Sequence, residues 1–161
     1  MARNIYYTPG TVVTFKASGG DVTFTPTSLA SGAGRISAQW DRGSGSQPFL
    51  YVWRAATKAA AALALGAQLN IYFATGDGSV VDGNLGTSDA AVSSSGKLNN
   101  LWYVGSISAD TTSVESQYAS GICEIRARYV SLIWFSSLGQ ALSGTAGDHW
   151  FSLTPVPDTV M

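Results

Sequence analysis

The sequence is short of charge. Only 12% of its 161 residues are Asp, Glu, Lys or Arg, and nine basic residues nearly balance ten acidic ones. The usual charged share is about 25%, and a near-neutral chain lacks the basic footprint of a nucleic-acid-binding protein. It also offers no basic surface to an anionic membrane. We therefore expect no nucleic acid and no membrane as partners, and we expect the weakly charged surface to be buried in an assembly.

Cysteine and long apolar runs are also scarce. The single cysteine, Cys123, excludes an intrachain disulfide and any site with several thiolate ligands. It lies in the alternating segment GICEIRARYV, which indicates a buried strand position rather than a reactive thiol. No stretch approaches the roughly 18 apolar residues of a membrane span, and the first residues lack the apolar core of a signal peptide. We expect a soluble protein.

Residues that usually perform acid-base catalysis are few. The one histidine, His149, stands beside Asp148 with no nucleophile at a recognisable spacing, so a structural role is favoured over a catalytic one. Glu115 and Glu124 are the only glutamates, and a glycosidase would need two such carboxyl groups together. We instead expect Glu124 to form an ion pair with an arginine on a neighbouring strand. No cofactor motif is present. We predict no catalytic residues, no cofactor and no enzymatic activity.

One loop is rich in oxygen ligands. Asp77, Asp82 and Asp89 lie in a Gly-, Ser- and Asn-rich stretch over residues 76–96, and calcium takes carboxylates and carbonyls from such loops. Their spacing is not that of an EF-hand, and Asp-Gly pairs are ordinary turn formers. We predict no metal site, and calcium binding by this loop is left as an open alternative. A loop of this length tends to carry contacts.

What the chain has in abundance is glycine, serine and threonine, with short alternating segments between them. Such segments are typical of half-buried strands, and no strand-helix-strand rhythm separates them. The pattern predicts an all-β sandwich, barrel or jelly roll. It also predicts a tight hairpin at residues 18–21. The predicted strands cover residues 11–16, 21–25, 36–40, 49–54, 68–75, 101–108, 122–129, 130–135 and 148–154, and residues 109–120 form a polar connection.

The alanine-rich stretch over residues 55–65, AATKAAAALAL, is ambiguous. Alanine has the highest helix propensity, which favours a helix locally. However, the stretch runs straight out of the strand that contains Trp53, and it has neither an N-cap residue nor the paired Glu and Lys of an exposed helix. We predict an extended strand with small, closely packed side chains.

All five tryptophans fall within predicted strands. This placement favours a role in the core, with a platform for stacking sugar rings as the alternative. The tryptophans are Trp40, Trp53, Trp102, Trp134 and Trp150.

Several stretches resemble the small jelly-roll structural proteins that decorate or cement the capsids of tailed bacteriophages. The resemblance covers residues 48–158 and is carried by FLYVWR, QLNIYFATGDGSVVDGNLGTSDAAV, LWYVGSISAD and the tail RYVSLIWFSSLGQALSGTAGDHWFSLTPVPD. It implies a jelly-roll-like antiparallel β-sandwich, over residues 11–161. It also implies a virion protein on the capsid exterior that binds the major capsid protein, usually as a homotrimer, and stabilises the head by adding contact area between capsomers. A carbohydrate- or receptor-binding module of a tail or spike is the alternative.

The first ten residues are predicted to form an extended N-terminal arm. Ile5, Tyr6 and Tyr7 are three large apolar-faced residues in a row ahead of Pro9 and Gly10. A free terminus does not normally expose such a run. We therefore predict that Ile5, Tyr6 and Tyr7 are interface residues that dock on a neighbouring subunit or on the shell.

Overall fold

The computed structural model describes residues 10–44 and 48–156, and within these ranges the chain is almost entirely β-structure. Three short 3-10 helices, Asp82–Asn84, Ser95–Asn100 and Ala146–Asp148, lie in the connections. The strands are β1 (Val13–Lys16), β2 (Val22–Thr23), β3 (Gly34–Ile36), β4 (Trp40–Asp41), β5 (Leu50–Lys58), β6 (Gln68–Gly76), β7 (Ala90–Val92), β8 (Trp102–Ser108), β9 (Ser116–Glu124), β10 (Tyr129–Ser137) and β11 (Trp150–Pro155).

The strands form two facing sheets. One has the order β2-β1-β11-β5-β9, and the other has the order β7-β3-β10-β6-β8, with β4 also paired to β10. Four antiparallel pairs are nested: β1 with β11, β3 with β10, β5 with β9, and β6 with β8. This is the pairing of one long hairpin, with its tip between β6 and β8, that has been rolled into a sandwich. The fold is therefore a jelly-roll β-sandwich, and the predicted fold class is confirmed.

The alanine-rich stretch is extended as predicted, up to Ala59. Ala55 and Ala56 belong to β5 and are almost fully buried, and Ala59 forms a bridge with Leu142. Consecutive strand residues point to opposite faces of the sheet, so small side chains are buried on both faces of β5 at this point. Residues 60–65 form bends and turns rather than strand or helix.

Three local predictions were wrong. The predicted strand over residues 36–40 is interrupted, because β3 ends at Ile36 and β4 begins only at Trp40. The loop over residues 17–21 does not make a hairpin, because β2 runs parallel to β1. Within this connection, Asp21 accepts a hydrogen bond from the Thr14 N–H (2.8 Å). The predicted strand over residues 122–129 is also broken. β9 begins at Ser116, within the predicted polar connection, and ends at Glu124. Ile125 is still buried as the chain crosses to the other sheet, so the apolar alternation outlasts the strand.

Aromatic side chains fill the space between the sheets. The Phe151 ring on β11 stacks on Trp53 at 5.9 Å and meets Phe15 and Phe73 edge-on at 5.8 and 5.9 Å. Trp53 and Trp134 are buried, and Trp40 packs against the same core. The core role predicted for the tryptophans thus holds for these three. The packing of these rings holds the two sheets together.

Candidate functional site

The edge strands on the two sides of the sandwich differ in length. On one side the edge strands are β2 and β7, of two and three residues. On the other side they are β8 and β9, of seven and nine residues. A long edge strand presents a row of unpaired backbone N–H and C=O groups, and folded proteins usually keep such edges short or cover them. The β8–β9 side therefore presents the longer open strand edges of the sandwich.

Large apolar side chains are exposed on the same two strands. Tyr118 and Ile122 on β9 are 69% and 65% exposed, and Tyr103 and Trp102 on β8 are 51% and 43% exposed. We call these four residues the edge patch. β8 and β9 are close neighbours, because each packs a glycine backbone against the Trp53 indole. The four residues do not share one face, because Tyr103 pairs with Tyr72 on the outer face of its sheet, whereas Tyr118 and Ile122 face outward from the other sheet. Exposed large apolar side chains are nevertheless typical of contact surfaces.

The alternation of β9 explains why Tyr118 and Ile122 face outward. Gln117 and Cys123 point into the sandwich and are buried, so Tyr118 and Ile122 fall on the opposite face. The solvent-facing side of an antiparallel sheet usually carries polar residues. The outer face of β9 departs from that rule at both positions, which is expected of a surface that is covered in an assembly.

A cleft opens beside the patch at one end of the sandwich. It has a volume of about 310 Å³, a floor formed by Phe73, Ile125 and Val130, and the exposed Trp102 indole as a wall. Glu124 and Arg126 form an ion pair at the rim. The partner of Glu124 is thus the arginine two residues along the chain and not, as predicted, one across the strands.

His149 is built into the structure as a buried hydrogen-bonding residue. It is 1% exposed, its Nδ1 lies 3.0 Å from the Thr57 hydroxyl, and its Nε2 lies 2.9 Å from the Ser143 carbonyl oxygen. Burial lowers the pKa of His149, against opposing effects of the Ser143 carbonyl and the nearby Asp148. The arrangement holds a neutral imidazole with both nitrogens engaged, which matches the structural role predicted for it.

The two glutamates stand at opposite ends of β9. Glu115 directly precedes the strand and Glu124 is its last residue. Eight residue steps separate Ser116 from Glu124, which at the rise of a strand is about 26 Å. Glycosidase carboxyl pairs lie about 5–9.5 Å apart, so these two cannot flank one glycosidic bond.

The acidic loop uses its carboxylates in local hydrogen bonds. Asp77 accepts hydrogen bonds from the N–H groups of Ser79 and Val80, both at 2.8 Å, and these lower the pKa of Asp77 to about 2. Asp82 accepts from Thr75, and Asp89 pairs with Arg35. Within residues 10–44 and 48–156, no group of three or more His, Cys, Asp or Glu side chains is placed to hold a metal ion. The loop carries β7 and a 3-10 turn and is more ordered than its composition predicts.

Cys123 lies inside β9 as predicted. It pairs with Tyr51 across the sheet and is 7% exposed. Burial raises the pKa of the Cys123 thiol to about 12, so the thiolate is not populated at neutral pH.

The interface residues predicted from the sequence and those that the structure exposes are different sets. Ile5, Tyr6 and Tyr7 lie outside the described residues, so their role as interface residues stays a prediction. Tyr118 and Ile122 escaped the sequence reasoning, because the first was assigned to a connection and the face of the second was not determined. Tyr118 and Ile122 are four residues apart, a spacing that places both on the same face of a strand, and this was the available signal.

Comparison with known proteins adds little. No family model and no curated protein matches the chain. Crystal structures of murine APRIL at pH 8.0 and pH 8.5 align with it at 9% and 10% identity, covering 90% of this chain and 98% of theirs. Their TM-scores are 0.44 and 0.38. The jelly roll is therefore established by the strand pairing itself.

The helices in the described ranges are short 3-10 segments, and none has the length and apolar character needed to cross a membrane.

Proposed function

We propose that this protein is a structural virion protein that decorates the capsid of a tailed bacteriophage. Bound on the capsid exterior, it contacts the major capsid protein and further copies of itself, as a homotrimer, and it stabilises the head by adding contact area between capsomers. The jelly-roll sandwich and the stretches resembling decoration proteins support this proposal. Neither nucleic acid nor membrane is included as a partner, because the chain is nearly neutral.

The observation that carries the proposal is the edge patch. Four large apolar side chains line the two long, open edge strands, while the opposite edge ends in strands of two and three residues. A standard interface covers about 800 Å² on each partner, or about a tenth of a small protein's surface. The chain has an accessible surface of 8352 Å², so a contact of standard size would cover about a tenth of it.

Ile5, Tyr6 and Tyr7 belong to the proposed contact surface as well. The arm precedes Gly10, and the domain that follows it begins with β1. An arm of this composition adds apolar area to a contact without enlarging the core.

One observation favours the alternative of a carbohydrate- or receptor-binding module. Trp102 is 43% exposed and forms the wall of a cleft whose rim carries Glu124 and Arg126. An exposed indole next to charged hydrogen-bonding groups is the arrangement that a sugar ring would use. Trp150 is also partly exposed and lines a second cleft together with Lys16, but Trp53 and Trp134 are buried in the core. We keep contact as the leading proposal, because the edge patch includes Tyr118 and Ile122, which line neither cleft.

The test uses the double variant Tyr118→Ser/Ile122→Ser and particles stripped of the protein. Both side chains are more than 60% exposed, so their replacement leaves the melting temperature nearly unchanged. If they form the centre of an interface, the loss is about 1–3 kcal/mol each, and particle affinity falls at least about tenfold. Val80→Ser is the control, because Val80 is 62% exposed and lies on the loop after β6, outside β8 and β9.

Two readouts separate the proposals. Particles redecorated with the wild type or with the Val80→Ser variant should release their genome at a higher temperature than stripped particles, whereas the double variant should restore little. Equal binding by the double variant contradicts the assignment of the edge patch. Equal opening temperatures of stripped and decorated particles, with adsorption to cells lost on stripping, favour the receptor-binding alternative instead.

A further inference from the structure

The lysine and arginine side chains of this protein fall into two groups. The sequence has nine of them, and Arg3 lies outside the described residues. Five donate hydrogen bonds to a carboxylate or to a carbonyl oxygen, and these are Arg35, Arg42, Lys97, Arg126 and Arg128. The other three, Lys16, Arg54 and Lys58, form no ion pair within residues 10–44 and 48–156. All three project from the outer face of the β2-β1-β11-β5-β9 sheet.

The strand register places these three cations around Trp150. Trp150 on β11 pairs with Ala56 on β5, and Lys16 lies opposite Trp150 on the other side, one step beyond the last β1–β11 pair. Residues directly opposite each other have Cβ atoms about 5 Å apart. Arg54 and Lys58 lie two residues before and after Ala56, which makes them diagonal neighbours of Trp150 at about 7–8 Å. Lys and Arg side chains span such distances, so three cations surround one indole.

The Trp150 indole faces the same side of the sheet. Trp150 is half-buried, whereas Phe151 next to it is fully buried in the core. In the described part of the chain three arginines lie over aromatic rings, but none of these rings belongs to Trp150. The aromatic pairs found in the same part of the chain do not include Trp150 either. The indole is therefore a flat apolar surface that no cation or second ring of the described chain occupies.

A cleft of about 430 Å³ opens beside Trp150. Its lining combines the indole and Lys16 with two hydroxyl-bearing residues, Thr14 and Ser18, and with the turn at residues 146–147. Small-molecule sites span about 300–1,000 Å³ and place a few polar groups around an apolar surface. The cleft has both this size and this mixture of groups.

Two carboxylates border the cleft, and both are engaged in local hydrogen bonds. Asp21 accepts from the Thr14 N–H at 2.8 Å, and Asp148 accepts from the Ser143 hydroxyl at 2.7 Å. Neither forms an ion pair with a lysine or arginine of the described ranges. Three cations against two carboxylates leave this region positive in a chain whose formal net charge is −1. Charge of one sign around a cleft attracts a ligand of the opposite sign.

We propose that this cleft binds an acidic carbohydrate. One face of a pyranose ring stacks on the Trp150 indole, and the carboxylate of the sugar accepts hydrogen bonds from Lys16 and Arg54. The sugar hydroxyls meet Thr14 and Ser18 at the wall of the cleft. Lys58 then pairs with the carboxylate of a second acidic ring in an oligosaccharide.

A sugar fits these observations better than a nucleic acid does. Three cations neutralise few phosphates, and one half-buried indole is not a row of rings on which successive bases stack. The site lies on β1, β11 and β5 and uses no residue of the edge patch. The assignment therefore does not rest on the capsid function, and it is tested on the isolated protein.

The first test compares an acidic with a neutral sugar. Isothermal titration calorimetry of the full-length protein at low salt measures its affinity for tetragalacturonate and for maltotetraose. We expect tetragalacturonate to bind at least about tenfold more tightly, because only this sugar carries carboxylates for the cations. Its affinity should fall as sodium chloride is added. Equal affinities for the two sugars, or no binding of tetragalacturonate at millimolar concentration, would overturn the proposal.

The second test removes the cations and the ring in turn. Lys16→Gln/Arg54→Gln should lower the affinity for tetragalacturonate at least about tenfold and leave the melting temperature nearly unchanged. Lys97→Gln/Arg126→Gln is the matched control, because it removes the same charge from outside this face. Trp150→Ala should abolish binding, and Trp150→Tyr, which keeps a ring on the sheet, should bind more tightly than Trp150→Ala.

Three results with these variants would contradict the assignment. Equal losses in the two double variants would mean that the net charge, rather than this face, governs binding. Unchanged affinity in Trp150→Ala would exclude stacking on the indole. Tighter binding of a single-stranded oligodeoxynucleotide than of tetragalacturonate, lost in Lys16→Gln/Arg54→Gln, would assign the face to a nucleic acid instead.

Discussion

Replacing Gly121 by alanine tests the packing that holds the two edge strands together. A Cβ added at Gly121 would lie 2.7 Å from Nε1 and 2.8 Å from Cε2 of the Trp53 indole, closer than real contacts allow. Relief requires the buried indole or β9 to move. Overpacking of this kind lowers the free energy of unfolding by about 1–3 kcal/mol. Alanine also restricts the unfolded chain more than glycine does, which raises the free energy of unfolding by about 0.4–1 kcal/mol.

We therefore expect Gly121→Ala to lower the free energy of unfolding by about 1–2 kcal/mol and the melting temperature by about 2–8 °C. Urea unfolding followed by circular dichroism measures this. Gly86→Ala is the matched control, because a Cβ at Gly86 meets nothing within 4 Å. In a Trp53→Phe background the cost of Gly121→Ala should shrink, since the smaller ring lacks the clashing atoms. Unfolding of Gly121→Ala at the wild-type urea concentration, with Gly86→Ala also neutral, would refute the reasoning.

Two further predictions concern buried titratable groups. His149 has a lowered pKa in the folded chain, so the unfolded chain binds a proton first as the pH falls below the ordinary value of 6.5. The free energy of unfolding should then decrease by up to about 1.4 kcal/mol per pH unit below that value, and urea midpoints for His149→Gln should show a smaller slope between pH 7.5 and pH 5. The Cys123 thiol, with its pKa raised to about 12, should not react with a thiol reagent at pH 8 until the chain unfolds. Rapid labelling of native protein would contradict its burial.

The strands that the sequence predicted best are those with one buried face. The alternation of Leu69, Ile71 and Phe73 located β6, and that of residues 148–154 located β11. Their pairing partners could not be predicted in the same way. β1 pairs with β11, about 140 residues later, and no local pattern encodes a contact of that sequence separation.

The contact surface was harder to predict than the fold. Tyr118 follows the polar run of residues 109–117, so its strand was assigned to a connection. Whether a strand residue faces the core depends on which sheet the strand joins and in what register, and both are set by long-range pairing. Trp102 is similar, because a tryptophan inside a strand is usually core and only the open end of the sandwich leaves its indole exposed.

The exposure of the edge patch follows from the same register that seats Trp53. Trp53 on β5 pairs with Gly121 on β9 and needs the absence of a side chain there. With Gly121 facing inward, Tyr118 and Ile122 must face outward. A shift of β9 by one residue relative to β5 would bury both of them, but it would also place a side chain against the Trp53 indole. The core therefore fixes these two apolar residues on the surface, and a stable sandwich with this sequence cannot hide them without a partner.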